Sequence, residues 1–266
     1  MECRLVICII LYNEVVTKIQ SLETFRQAMS LFGAKILIMD NSTNEEIRKI
    51  NSFESEKIKF TYFSNDGNIG LSRAYNNAIN YASNFEDYWM MLADDDTYFS
   101  MDYLNNVYRT ISNDSDIDIF TGIVKVSGNV FSPKNKLSFS GTAQLFIEKP
   151  GVYSNIFPVN TGLVIHKCVF DKIGKYDENL FLDMIDFNFA NQLTSEGINL
   201  IKVIEGEISQ SFSGYERGNY KGQMVRYSIF KKDFSYFCKR NNISVVKKRM
   251  VLARRYINII KRSLIG

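Results

Sequence analysis

The stretch WMMLADDDTYFS, Trp89 to Ser100, runs a block of bulky apolar residues straight into three adjacent carboxylates. An apolar run of this kind reads as a strand buried on both faces, as in a parallel sheet. Ending it in Asp94, Asp95 and Asp96 sets like charges side by side, which is unfavourable unless a cation or fixed donors neutralise them. Residues two apart on a strand share a face at roughly 7 Å, so Asp94 and Asp96 converge while Asp95 points away. Oxygen-only ligation of this sort suits Mg2+ or Mn2+. A helix cap explains the cluster less well, because one Asp would satisfy the following helix. A phosphatase nucleophile of the pattern DxDx[TV] also fails, since its last position falls on Tyr98.

The flanking sequence supplies the rest of such a sheet. Upstream lie an apolar strand, LVICIIL (5–11), and a helical pattern from Val15 to Phe32 closed by Gly33. Then come a strand AKILIMD (34–40), a helix capped within DNSTNEE (40–46), and a strand KIKFTYFS (57–64). A helix GLSRAYNNAINYAS (70–83) precedes the strand DYWMMLA (87–93). This alternation predicts a right-handed, doubly wound sheet, which binds ligands at the carboxyl ends of its strands. Those ends carry YNE, DNST, SNDGNIG and DDD, all polar or glycine-rich.

The second half is less regular. DIDIFTGIVKVSG (116–128) and LSFSGTAQLFIE (137–148) read as strands between turns, and NTGLVIHKCVFDKIGKYD (160–177) as a strand, a helix and a turn. FLDMIDFNFANQLTSEG (181–197) reads as a helix carrying Asp183 and Asp186 on one face, and LIKVIEGEISQSF (200–212) as a strand region. No linker is evident before about residue 215.

Composition bounds the class. The 266 residues fit one large α/β domain with a short appendage, and 45% hydrophobic content marks a folded chain. A net charge of +3 points to no nucleic acid as a global property. The positive charge is instead concentrated late: from Lys221 onward Asp233 is the single acid. Cys3, Cys8, Cys168 and Cys238 are scattered, and with His166 as the one histidine a zinc site is not expected. The thiols read as buried and reduced, in a cytoplasmic protein, and His166 as an ordinary polar residue. No apolar run approaches the roughly 18 residues a membrane span needs, and RLVICIILYNE lacks the marks of a signal peptide.

At the end, SVVKKRMVLARRYINIIKRSLIG (244–266) repeats basic pairs every seven residues, opposite an apolar side built on Val246, Met250, Ala253, Ile257, Ile260 and Leu264. Val245, Leu252, Tyr256 and Ile259 widen that side. Such a basic amphipathic helix suits an anionic membrane surface, so residues 245–266 are expected to make a peripheral contact with the inner face of the cell membrane. A helix docked on its own domain, or a self-associating heptad, has the same pattern.

Taken in order, ILYNE, DNST, SNDGNIGLSRAYNNAI, LADDDT and NLFLDMIDFNFANQL resemble the inverting family 2 glycosyltransferases of GT-A fold, over roughly residues 4 to 235. The rhamnosyltransferase-like branch, with features of galactofuranosyltransferases, is the most similar. The resemblance implies an α/β, Rossmann-like, mostly parallel sheet flanked by helices. It divides the chain into a GT-A domain over 1–215 and a basic helical extension over 216–266. Within the domain, 1–120 would be the nucleotide-sugar half and 121–215 the acceptor half.

It also implies residue roles. Tyr12, Asn13 and Glu14 would line the nucleotide pocket, and Asp40 would accept a hydrogen bond from a uracil or thymine ring. Asn68, Gly70 and Arg73 would shape the wall beside base and diphosphate, where Gly67 and Gly70 allow close backbone approach. Asp94 and Asp96 match the DxD that holds Mn2+ or Mg2+, with Asp95 beside the donor, and Asn160 borders the sugar pocket. Asp183, and after it Asp186, would be the base that deprotonates the acceptor hydroxyl. Relatives often carry a metal-binding histidine where this chain has Gln210, a weaker neutral ligand. The implied reaction moves a hexosyl unit (rhamnosyl, galactosyl or galactofuranosyl) from a dTDP- or UDP-sugar to a glycan or polyprenyl-linked glycan of a bacterial surface polysaccharide. Two rivals remain: a nucleotidyltransferase, though LYNEVVTK lacks the glycine its loop needs, and a non-catalytic nucleotide-sugar-binding partner subunit.

Overall fold

The computed structural model describes residues 4–113, 116–135, 145–211 and 220–265. The first half follows the expected alternation: β1 (Arg4–Leu11), α1 (Leu22–Phe32), β2 (Lys35–Asp40), α2 (Glu45–Lys57), β3 (Thr61–Ser64), α3 (Leu71–Ala82) and β4 (Tyr88–Asp94). Next come β5 (Thr97–Phe99), α4 (Met101–Ser112), β6 (Ile119–Val126), β7 (Asn129–Ser132), β8 (Lys134–Asn135), β9 (Gly151–Ser154), β10 (Ile156–Phe157) and β11 (Leu163–His166). The chain continues through α5 (Lys167–Ile173), α6 (Ile185–Ser195), β12 (Leu200–Gln210), α7 (Tyr220–Arg240) and α8 (Val245–Ile265).

The main sheet runs β3-β2-β1-β4-β11-β6-β12-β5. Its first four strands are parallel. From β11 onward the pairing is mixed: β11 is antiparallel to both β4 and β6, and β12 is parallel to β6 and antiparallel to β5. This is the α/β, Rossmann-like GT-A architecture, with parallel pairing confined to β1–β4 and the β6–β12 pair. Residues of β1 alternate between two cores, with Val6, Cys8 and Ile10 under α3 and α6, and Leu5, Ile7, Ile9 and Leu11 under α1 and α4. Burial on both faces explains the unbroken apolar run of that strand.

Three expected elements shift. The helix expected from Val15 begins only at Leu22, after a short 3-10 turn over Val16–Lys18. Backbone groups there bond to neighbours rather than to a helix: Val16 N–H to Asn51 Oδ1 at 2.7 Å, and Gln20 N–H to the Asp95 carbonyl at 3.1 Å. The strand expected over 57–64 starts at Thr61, because α2 continues to Lys57. The helix expected over 181–197 starts at Ile185, so Asp183 precedes it and shares no helix face with Asp186. Met184 takes φ +64°, and the N–H groups of Leu182 and Asp183 both donate to Asp233 Oδ2 at 2.8 Å. Those bonds hold 182–183 as a loop. Most of the strand expected over 137–148 lies outside the described residues.

The appendage is helical and packs back on the domain. Phe237 of α7 joins the core under β1, while Phe230, Phe234 and Cys238 form a small cluster with Val251 and Leu252 of α8. The expected boundary at 215–216 falls outside the described residues. Among the described residues, no helix is long and apolar enough to cross a membrane.

Candidate functional site

The carboxyl ends of β1, β2 and β4 meet along one rim, and the expected residues gather there with differing freedom. Asn13 adopts φ +54°, and its Oδ1 accepts from the N–H groups of Thr43 and Asn44 at 2.9 and 3.1 Å. It ties the loop after β1 to the loop after β2. Glu14 stays half-exposed beside Lys18, and Tyr12 is 39% exposed on the rim. Asp40, by contrast, is fully buried. Its Oδ1 accepts from Ser42 N–H at 2.8 Å, and its Oδ2 from Asn51 Nδ2 at 2.8 Å and Tyr62 OH at 3.0 Å. A sealed carboxylate has no surface to offer a base, so Asp40 acts by holding the loop after β2 and tying it to Asn51 and Tyr62.

The turn before α3 is also built for packing. Asn68 Oδ1 accepts from Gly70 N–H at 3.1 Å. Gly70 sits at φ +90°, and a Cβ there would lie 2.6 Å from the Phe181 ring and 2.9 Å from its carbonyl oxygen. The close approach seen at this glycine is to the 181–184 loop. Arg73 is exposed and pairs with Glu178 at 3.6 Å. Asn76 is buried and locks α3 to the same region: it donates to the Tyr176 carbonyl and accepts from the Tyr176 N–H, each at 2.9 Å.

The acidic cluster sits where β4 ends. Asp94 N–H donates to Thr161 Oγ1 at 3.2 Å, which brings the Asn160–Gly162 segment against the strand end. Burial pushes the Asp94 carboxyl up to about 8, with Asp96, Asp95 and Asp186 adding repulsion. Burial, with Asp96 and Glu14, raises Asp95 to about 7, although backbone N–H groups of Tyr12 and Asp96 bond to it. The Asp95 carboxyl is thus close to both the end of β1 and Asp96. Gln210, the last residue of β12, donates its Nε2 to both Asp94 Oδ2 (3.0 Å) and Asp96 Oδ1 (3.2 Å). Its amide nitrogen, not its oxygen, faces the acids.

These residues fit a hard divalent cation. The donors are carboxylate oxygens, and among the described residues the positive pole facing both Asp94 and Asp96 is the neutral Gln210 amide N–H. Two buried polar atoms near them, the Tyr75 hydroxyl and Asn160 Nδ2, have no partner among the described residues. A buried donor left unpaired costs about 1–3 kcal/mol.

Across from Asp94 lie Asp183 and Asp186, in different states. Both oxygens of Asp183 are gripped by the Arg226 guanidinium of α7, a pair whose side chains are only 11% and 25% exposed. Asp186, in the first turn of α6, has no such partner among the described residues. Burial raises its carboxyl to about 7, against a bond from the Asn160 backbone N–H and the attraction of Lys134. Arg226, Asp233 and Lys134 were not anticipated. Arg226 and Asp233 lie in the segment read only as a basic extension, and an ion pair across 43 residues leaves no periodic mark.

The fold is a Rossmann-like α/β sheet flanked by helices, with carboxylates gathered at the carboxyl ends of its strands. The model of glycosyl transferase family 2 matches residues 6–174, and the chain belongs to that family. No curated protein matches the sequence. In fold the chain is similar to GalNAc-T7, solved with UDP, GalNAc and Mn2+, at TM-score 0.63 and 15% identity; the alignment covers 79% of this chain and 44% of that one. It is also similar to residues 1–349 of Staphylococcus aureus TarS, at TM-score 0.55 and 14% identity, over 96% of this chain and 71% of that one. The same TarS segment solved with UDP aligns at TM-score 0.54 and 12% identity, over 95% and 70%.

Proposed function

We propose that this chain is an inverting glycosyltransferase that moves a hexosyl unit from a UDP- or dTDP-sugar to a hydroxyl of a glycan, or of a polyprenyl-linked glycan, in surface polysaccharide synthesis. The observation that carries the reading is the contrast between Asp183 and Asp186 opposite Asp94. With both oxygens bonded to Arg226, Asp183 has neither one free to take a proton from an acceptor hydroxyl. A carboxylate raised to about 7 by burial can take a proton near neutral pH. Asp186 is therefore assigned as the base, in place of Asp183, the first choice from sequence. The acceptor oxygen attacks the anomeric carbon as its proton passes to Asp186, and the bond from that carbon to the diphosphate oxygen breaks. Asp183 positions the loop before α6.

A divalent cation, Mn2+ or Mg2+, held by Asp94 and Asp96, supplies neutralising charge for the departing diphosphate when bound. Tyr12, Glu14 and the Asn13-braced loop form the rim for the nucleotide, with Asn68, Arg73 and Asp95 flanking it. Asn160 and Tyr75 turn their unpaired groups toward the sugar. The reading is tested by a thermal-shift panel of UDP-, dTDP- and GDP-sugars with and without Mn2+. A ligand that binds only the folded state raises the melting temperature by mass action. A Mn2+-dependent shift with one nucleotide class supports it, and no response to any nucleotide favours a non-catalytic subunit.

Membrane contact belongs to the same reading. In α8, Leu252 packs against the α7 cluster and Ile259 is buried, while Val246, Met250 and Ile257 stay 67%, 66% and 49% exposed beside the basic pairs. Because part of the helix is docked, deletion would uncover Phe230 and Phe234. Replacing Val246, Met250 and Ile257 by Glu is the cleaner test. Loss of co-sedimentation with anionic liposomes is expected, and unchanged sedimentation removes the membrane role.

A further inference from the structure

A second set of ligating side chains lies at the opposite end of β4. His166 pairs in register with Trp89, five residues before Asp94, or about 17 Å along the strand at ~3.3 Å per residue. There one ligand atom each of Asp118, His166 and Cys168 lie within 4.8 Å of one another. His166 Nδ1 is 3.0 Å from Cys168 Sγ and 3.7 Å from Asp118 Oδ1.

The imidazole is held in a fixed pose. Its Nε2 lies 2.7 Å from Asp87 Oδ1, and its ring packs against Trp89 with centroids 4.7 Å apart. A neutral ring that donates from Nε2 to Asp87 presents its Nδ1 lone pair to Cys168 and Asp118. A carboxylate holding the far nitrogen of a histidine is the usual outer partner of a metal-bound imidazole. Zinc bonds of about 2.0–2.1 Å to nitrogen and 2.3 Å to sulfur put tetrahedral ligands about 3.5 Å apart, close to the spacing found here.

We propose that Asp118, His166 and Cys168 form a second cation site, independent of the acidic rim, which takes a zinc-type divalent ion in tetrahedral coordination with its fourth position left to water. Nitrogen and sulfur donors suit such an ion, whereas the oxygen-only rim suits Mg2+ or Mn2+. Binding releases the thiol proton to water. The ion would join the strand entering β6 to the β11–α5 junction, with the 84–87 loop as outer support.

Co2+ added to the full-length, metal-free protein reports this directly. The expected result is a thiolate-to-cobalt charge-transfer band with the intense visible bands of four-coordination, saturating at one ion per chain and displaced by Zn2+. C168S abolishes the charge-transfer band, and D87N weakens binding by about 10- to 100-fold, the usual cost of losing an outer-shell carboxylate. D96N leaves the band in place. Because Cys168 is exposed, C168S is expected to fold, which circular dichroism checks. Absence of the band, its survival in C168S, or its loss in D96N overturns the proposal.

Discussion

The two ends of β4 both collect carboxylates, but they are assembled in opposite ways. At the carboxyl end, Asp94, Asp95 and Asp96 are consecutive, and their repulsion is met by a neutral amide and a few backbone donors. At the amino end, Asp87, Asp118, His166 and Cys168 come from three separate stretches, and the acids there already face an imidazole. The lesson concerns donor chemistry. Carboxylate oxygens facing a neutral amide are the donors a hard cation prefers. An imidazole nitrogen beside a thiol offers softer donors.

Four measurements would break or sharpen that contrast. The largest effect is expected at the rim. D186N should lower kcat by about 10²- to 10⁴-fold, the usual cost of losing a general base, with donor binding retained in a thermal-shift titration. C168S should leave kcat within a few-fold. Equal losses from the two would erase the functional difference between the ends.

Next, R226A leaves Asp183 charged and partly buried without its partner, a change worth about 3–5 kcal/mol in buried pairs and less here because the pair keeps some exposure. Urea denaturation should show a clear fall in midpoint. The double variant R226A/D183N should recover part of it, and no recovery would mean that Arg226 acts elsewhere.

The third test uses pH. The folded chain raises Asp94 to about 8 and Asp95 and Asp186 to about 7, against an ordinary 3.8. It therefore binds protons that the unfolded chain has released, so stability from these groups is full below about pH 4 and is lost as pH rises through about 7 to 8. Metal-free protein should melt lower at about pH 8 than at about pH 5. D94N should flatten the difference, and Mn2+ should offset it. A melting temperature that climbs over that window would contradict the crowding of the rim.

The smallest effect is expected from Q210E. It adds a carboxylate where the amide now bridges Asp94 and Asp96, so Mn2+ affinity should rise by several-fold while the metal-free protein melts slightly lower. Weaker Mn2+ binding would show that the Gln210 amide, not its position, serves the site.

Much of the first half could be read directly. The apolar runs of β1, β2 and β4 lie on a sheet buried on both faces, so composition and order alone identify them, and the strand-end rule then locates the rim. Reading failed where partners are distant in the chain. The start of α6 depends on Asp233, about 50 residues away, and the mixed second half of the sheet has no period that distinguishes it from loops. The glycine-rich turn was legible as a turn, but its reason, Phe181, was not.

What the sequence determined by itself was the α/β order, the acidic strand end and the amphipathic tail, because each is a local pattern of hydrophobicity or charge that any fold must respect. Only the tertiary structure decided that Asp40 is sealed, that Asp183 is clamped while Asp186 stays unclamped, and that a histidine and a thiol share a pocket with two acids. Those outcomes depend on burial and on pairings across tens of residues. Such quantities belong to the packed chain, and no short window of it carries them.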